Sequence, residues 1–166
     1  MTELPLTRDV APTESAVARW LTSYSRHPEV AREAWRYDRS AMLRTGGAYD
    51  AVRMPLTLVH AATGSRIAGV VAGVLAEVLD GPVICHPGLY YYALVPPGTA
   101  ETWRSAVGVV RGAGGWIGVP RPDRTEPTPV APYWAVPAEV VDKLCSADDV
   151  AELLRLGRAR REGLAE

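Results

Sequence analysis

The sequence predicts an α+β fold: a small, mostly antiparallel sheet packed by N-terminal helices, a middle helical stretch and a C-terminal helix. Three observations carry this expectation. Residues 82–99, PVICHPGLYYYALVPPGT, hold the densest apolar run, split by a His86-Pro87-Gly88 turn and closed by Pro96-Pro97-Gly98, as two paired strands would be. Helical spacing of apolar residues recurs at both ends of the chain and in the middle. The second half otherwise breaks into short blocks rich in β-branched and aromatic residues, an alternation that argues for mixed layers rather than a bundle.

A chain of 166 residues, 48% hydrophobic and 22% charged, is expected to form one domain spanning 1–166 with its own core. Its 18 basic side chains, of which only Lys143 is a lysine, face 19 acids, so no broad basic field exists to grip a phosphate backbone unaided. Cys85 and Cys145 form no metal or redox spacing, which points to a reduced, cytoplasmic chain. The opening MTELPLTRDVAPTE has no apolar core of a signal peptide, and the longest apolar run, 67–79, is short and contains Glu77; no membrane association is expected.

Taken in order, residues 1–12 read as a flexible arm. Thr13 is a candidate N-cap for a helix carrying Val17, Trp20, Leu21 and Tyr24 on one stripe. Pro28 ends it or opens a second helix, 29–37, with Val30, Ala34 and Tyr37 on one face and Ala31 and Trp35 beside it. Residues 48–54, AYDAVRM, read as a strand carrying Asp50. The stretch 55–79 fits either a hairpin about Thr63-Gly64-Ser65 or two helices; helix-forming Ala, Leu and Glu and the spacing of Ile67, Val71, Val74, Leu75 and Val78 favour helices at 56–62 and 66–79. After the central hairpin come a helical turn within 100–106, a glycine-rich turn at 112–115 and a strand at 116–119. Gly112, Gly114 and Gly115 precede a strand, not a helix N-terminus, so they are no phosphate loop. Five prolines between 120 and 132 make a stiff surface loop, followed by an edge strand at 133–136. Ser146, with Asp149 three residues on, opens a last helix through about Ala159 built on Val150, Leu153 and Leu154.

The succession LRTGGAYDAVRMP, DGPVI, YYYALVPPGTAETW, GGWIGVPRP and YWAVP, covering about Leu43 to Pro137, resembles short actinobacterial proteins assigned to the N-terminal domain of bifunctional DNA primase/polymerases, the Prim-Pol branch of the archaeo-eukaryotic primase superfamily. The resemblance implies an α/β fold in which one strand carries metal-binding acids and another a nucleotide-contacting histidine. Two carboxylates one residue apart would seat two Mg²⁺ or Mn²⁺ ions around the attacking and leaving oxygens. Here Asp50 is followed by Ala51, Val52 and Arg53, one carboxylate where two are expected, and the nearest histidine, His86, stands before the turn. The expectation is therefore a degenerate site: Asp50 as the residual metal or catalytic residue, and Asp50, Arg53, His86, Tyr90 and Tyr92 as ligand-binding residues for a nucleotide or single-stranded nucleic acid.

Plainer roles stand beside these. Asp50 can end a strand in solvent or pair with Arg53, His60 can be a satisfied helix histidine, and Cys85 a small buried hydrophobe. Cys85 and His86, adjacent on a strand, point to opposite faces and are unsuited to a nucleophile pair; Tyr91 likewise points away from Tyr90 and Tyr92. Three functions remain open: a non-catalytic nucleotide or single-strand binder; an active nucleotidyltransferase using Mg²⁺ or Mn²⁺ with Asp123 or Asp142 completing the acids; and a module binding a protein partner, or its own second copy, through the proline segment and the Tyr133-Trp134 edge.

Overall fold

The central hairpin, Val83–His86 with Tyr90–Val95, lies inside a five-stranded antiparallel sheet, and the rest of the fold covers its two faces. The computed structural model describes residues 14–163; the expected arm at 1–12 and the Thr13 cap fall outside them. The elements are α1 (Ala16–Leu21), α2 (Pro28–Arg36), β1 (Ala41–Arg44), β2 (Asp50–Pro55), α3 (Leu56–Thr63), α4 (Ala68–Leu79), β3 (Val83–His86), β4 (Tyr90–Val95), α5 (Thr99–Thr102), β5 (Val109–Arg111), β6 (Trp116–Val119), β7 (Tyr133–Val136) and α6 (Ala147–Arg161). The larger sheet runs β5-β2-β4-β3-β7, and β1 and β6 form a separate two-stranded ribbon, with every ladder antiparallel. The α+β class is as expected, and the stretch after Pro55 forms the two helices α3 and α4 rather than a hairpin, ending and starting within two residues of the expected 56–62 and 66–79.

Side-chain alternation sorts the core into two halves. Val52, Met54, Val83, Cys85, Tyr91, Ala93 and Val95 pack with α3, α4 and α6. Ala51, Ile84, Tyr92 and Leu94 pack on the opposite face with α1, α2 and the ribbon. Tyr91 thus points away from Tyr92, as strand parity requires. The hairpin turns at Gly88, whose φ of 73° is left-handed, and Leu89 N–H donates to His86 O at 3.0 Å.

Indole N–H groups tie the layers together, since a buried donor must find an acceptor. Trp35 Nε1 donates to Val119 O at 2.9 Å, joining α2 to the ribbon. Trp134 Nε1 donates to Pro120 O and Arg121 O, both at 3.1 Å, and pins the proline segment over the sheet.

Several boundaries differ from expectation for physical reasons. Ser15 caps α1 through a bond from Ala18 N–H, and the helix stops at Leu21, leaving Tyr24 exposed. In α2 the buried pair is Ala31 and Trp35, while Val30 and Tyr37 are 65% and 62% exposed. The Trp35 indole buries the larger surface and has an acceptor across the interface, so it sets the rotation of the helix. Ala41–Arg44 pairs as a strand that its mixed composition did not announce. Tyr133 and Trp134 are buried, so β7 is an edge strand whose large side chains face inward. Among the described residues no single helix is long and apolar enough to cross a membrane.

Candidate binding face

Cross-strand register gathers four of the five expected ligand-binding residues on one face of the sheet. Arg53 of β2 lies opposite Tyr92 of β4, and Tyr90 lies opposite His86 of β3. The rings of His86 and Tyr90 are 5.1 Å apart, His86 and Tyr92 5.4 Å, and Tyr90 and Tyr92 5.1 Å, the latter two pairs nearly edge-on. The Arg53 guanidinium sits over the Tyr90 ring at 5.4 Å, a cation–π arrangement.

At the sheet edge β5 contributes Arg111, in register with Ala51 and hence on the same face. Burial raises the Tyr92 phenol above its ordinary range, and the nearby Arg111 guanidinium opposes that shift. Neither Arg53 nor Arg111 has a carboxylate partner among the described residues. Two guanidinium groups beside aromatic rings, with no acid to neutralise them, favour an anion attached to a flat ring.

His86 completes the cluster. Burial pushes its imidazole below the usual range, with a contact to the Gly118 backbone acting the other way. Its Nε2 is buried without a hydrogen-bond partner. Gly118 of β6 lies against this ring: a Cβ there would come within 3.6 Å of His86 Cε1. The ribbon thus forms a wall beside the cluster.

Asp50 is elsewhere. Three positions from Arg53 on a strand, it points to the other face and is 0% exposed. Its Oδ2 accepts Ala100 N–H at 2.9 Å, holding the start of α5, and its Oδ1 has no partner. Gly112 makes room for it, since a Cβ there would meet Ala100 Cβ at 2.6 Å and Asp50 Oδ2 at 3.2 Å. The pairing of Asp50 with Arg53 and its solvation, both weighed from sequence, do not occur.

The donor set does not suit a pair of divalent cations. No group of three His, Cys, Asp or Glu able to hold a metal gathers among the described residues. Asp123 pairs with Arg121 in the proline segment, and Asp142 occupies a left-handed turn, φ 62°, before α6; neither joins Asp50. His60 stands apart on α3, its imidazole lowered by burial and then by Arg66. Cys85 lies on the helix-covered face with Tyr91 and Tyr133, and burial raises its thiol.

Arg111 and Gly118 are the members of this face that the residue pattern did not single out. Each arrives through a strand pairing distant in sequence, so no local spacing announces it. The fold and face together define an α+β protein whose sheet carries an arginine–aromatic cluster, its Arg53 and Tyr90 half-buried and its Tyr92 buried. Compared with known proteins, the chain matches no family model, no curated protein and no solved structure.

Proposed function

We propose that this chain is a degenerate primase/polymerase-like protein of the actinobacterial cytoplasm, acting as a binding or regulatory module that takes a nucleotide or single-stranded nucleic acid on its Arg53–Tyr90–Tyr92–His86 face. The observation that carries the reading is the unpaired Arg53 guanidinium stacked on Tyr90, with Arg111 beside the same tyrosines. A base can stack on an aromatic platform while its phosphate meets a guanidinium fork. The alternative of a Mg²⁺- or Mn²⁺-dependent nucleotidyltransferase finds less support, because Asp50 is enclosed and no group of three potential metal ligands gathers among the described residues.

The test is a thermal-shift and fluorescence titration of the full chain with nucleoside triphosphates and oligothymidylate, each with and without Mn²⁺. Binding to the folded state adds about 2.7 kcal/mol of stability at a hundredfold excess over Kd and so raises the melting temperature. Tyr90→Ala is expected to weaken binding by about 1–3 kcal/mol, the usual worth of one base stack, and Arg53→Ala by at least about tenfold. Absence of any shift at millimolar ligand would remove the reading, and templated primer extension would replace it with the catalytic one.

A further inference from the structure

We propose that the outer edge of β1 and the facing side of α2 form a docking groove for an extended acidic peptide segment of a partner protein. The inference is independent of the nucleotide-binding face. β1 pairs with β6 on one side and, among the described residues, with no strand on the other. Five consecutive residues, Ser40 to Arg44, line a groove of 530 Å³ whose far wall is the Val30–Ala34 side of α2. Side chains alternate along a strand, so consecutive residues share one groove only where the main chain itself faces it. The groove therefore presents unpaired backbone donors and acceptors opposite a helix, the arrangement that accepts an added strand.

Its other properties select the occupant. Met42, Val30 and Trp116 are exposed along the groove and offer apolar contacts for alternate side chains of an added strand. No carboxylate lines it, whereas Arg26 and Arg44 do, and neither has an acidic partner among the described residues. The Arg44 guanidinium is held over the ring of its cross-strand partner Trp116 at 5.3 Å, at the end of the groove where the ribbon joins it. A polynucleotide would satisfy the arginines but brings no ladder of amides to the β1 main chain, so the strand edge favours a peptide. The β7 edge is not equivalent, because Trp134 N–H already donates to Arg124 O of the proline segment at 2.8 Å.

The probe is a dye-labelled hexapeptide alternating valine with glutamate, compared with its valine–lysine counterpart, with the acidic peptide N-methylated at alternate amides, and with oligothymidylate. Fluorescence anisotropy on the full chain is expected to show saturable binding of the acidic peptide, at least tenfold weaker binding of the lysine peptide, and loss on N-methylation. Hydrogen exchange at 41–44 should slow in the complex. Arg44→Glu combined with Arg26→Glu, both on the surface, should cost at least tenfold in affinity with an unchanged circular dichroism spectrum. Tyr90→Ala should leave peptide binding intact, separating this groove from the nucleotide face. Equal binding of acidic and basic peptides, indifference to N-methylation, no binding at millimolar peptide, or competition by oligothymidylate alone would overturn the proposal.

Discussion

Asp50 carries a carboxylate with no accessible surface, and its one strong contact is the Ala100 amide. Removing it leaves a buried backbone donor unmet at the start of α5, which costs about 1–3 kcal/mol. Asp50→Ala is accordingly expected to lower the urea midpoint by that amount while nucleotide affinity of the folded protein stays unchanged, because the side chain serves the other sheet face. Loss of affinity in a variant shown to be folded would contradict this placement. His86 adds a pH signature. Burial lowers its folded pKa, so the imidazole is neutral in the fold and its contribution is complete above the unfolded value of about 6.5. That contribution is lost as pH falls below this value toward the depressed one, since the unfolded chain then binds the extra proton. Melting temperatures should fall between about pH 7 and 5, and His86→Gln should flatten the slope, leaving the share due to His60, which shifts the same way. Asp50 and Arg53 were expected in one site, yet three apart on a strand they point to opposite faces, a parity that the joint site overlooked. How deeply Asp50 sits was not legible in the sequence, because its cover comes from α5 and the turn before β6.

At the scale of elements, the helices and the hairpin were readable where a local rule decides them. Pro28 at the first turn, Ser146 capping α6 through Asp149 N–H, and the His86-Pro87-Gly88 turn all act within a few residues. The face of α2 was misjudged because apolar character alone placed Val30 and Tyr37 inward, while the Val119 carbonyl that receives Trp35 lies far along the chain. β1 is four residues with one buried face, too short for alternation to stand out. The α3–α6 crossing has its own sequence-invisible condition. A Cβ at Gly157 would stand 2.2 Å from Leu58 O, so the two backbones touch there. In a free helix Gly→Ala is stabilising by about 1 kcal/mol; here Gly157→Ala is expected to destabilise by about 1–3 kcal/mol through forced separation of the helices. Chemical denaturation reads the sign directly.

Across the whole molecule, one sheet divides two cores, and both cysteines are buried and unpaired on or behind its helix-covered side. Burial pushes the Cys145 thiol up to about 12, so a thiol reagent should leave the native protein unlabelled and titrate two groups after denaturation. A reductant should leave the melting temperature unmoved. The class of the fold followed from the succession of patterns along the chain, but the order β5-β2-β4-β3-β7 did not, since it depends on pairings between distant segments such as Ala51 with Arg111. The arginine–aromatic face inherits that limit, because half of its cationic character arrives with β5. The contact of Gly157 with Leu58 has a consequence during synthesis. α3 leaves the ribosome well before α6, with the strands from β3 to β7 made between them, so its apolar flank waits, uncovered, while that stretch is read. A stop codon ahead of α6 would leave that flank permanently open to chaperones and proteases.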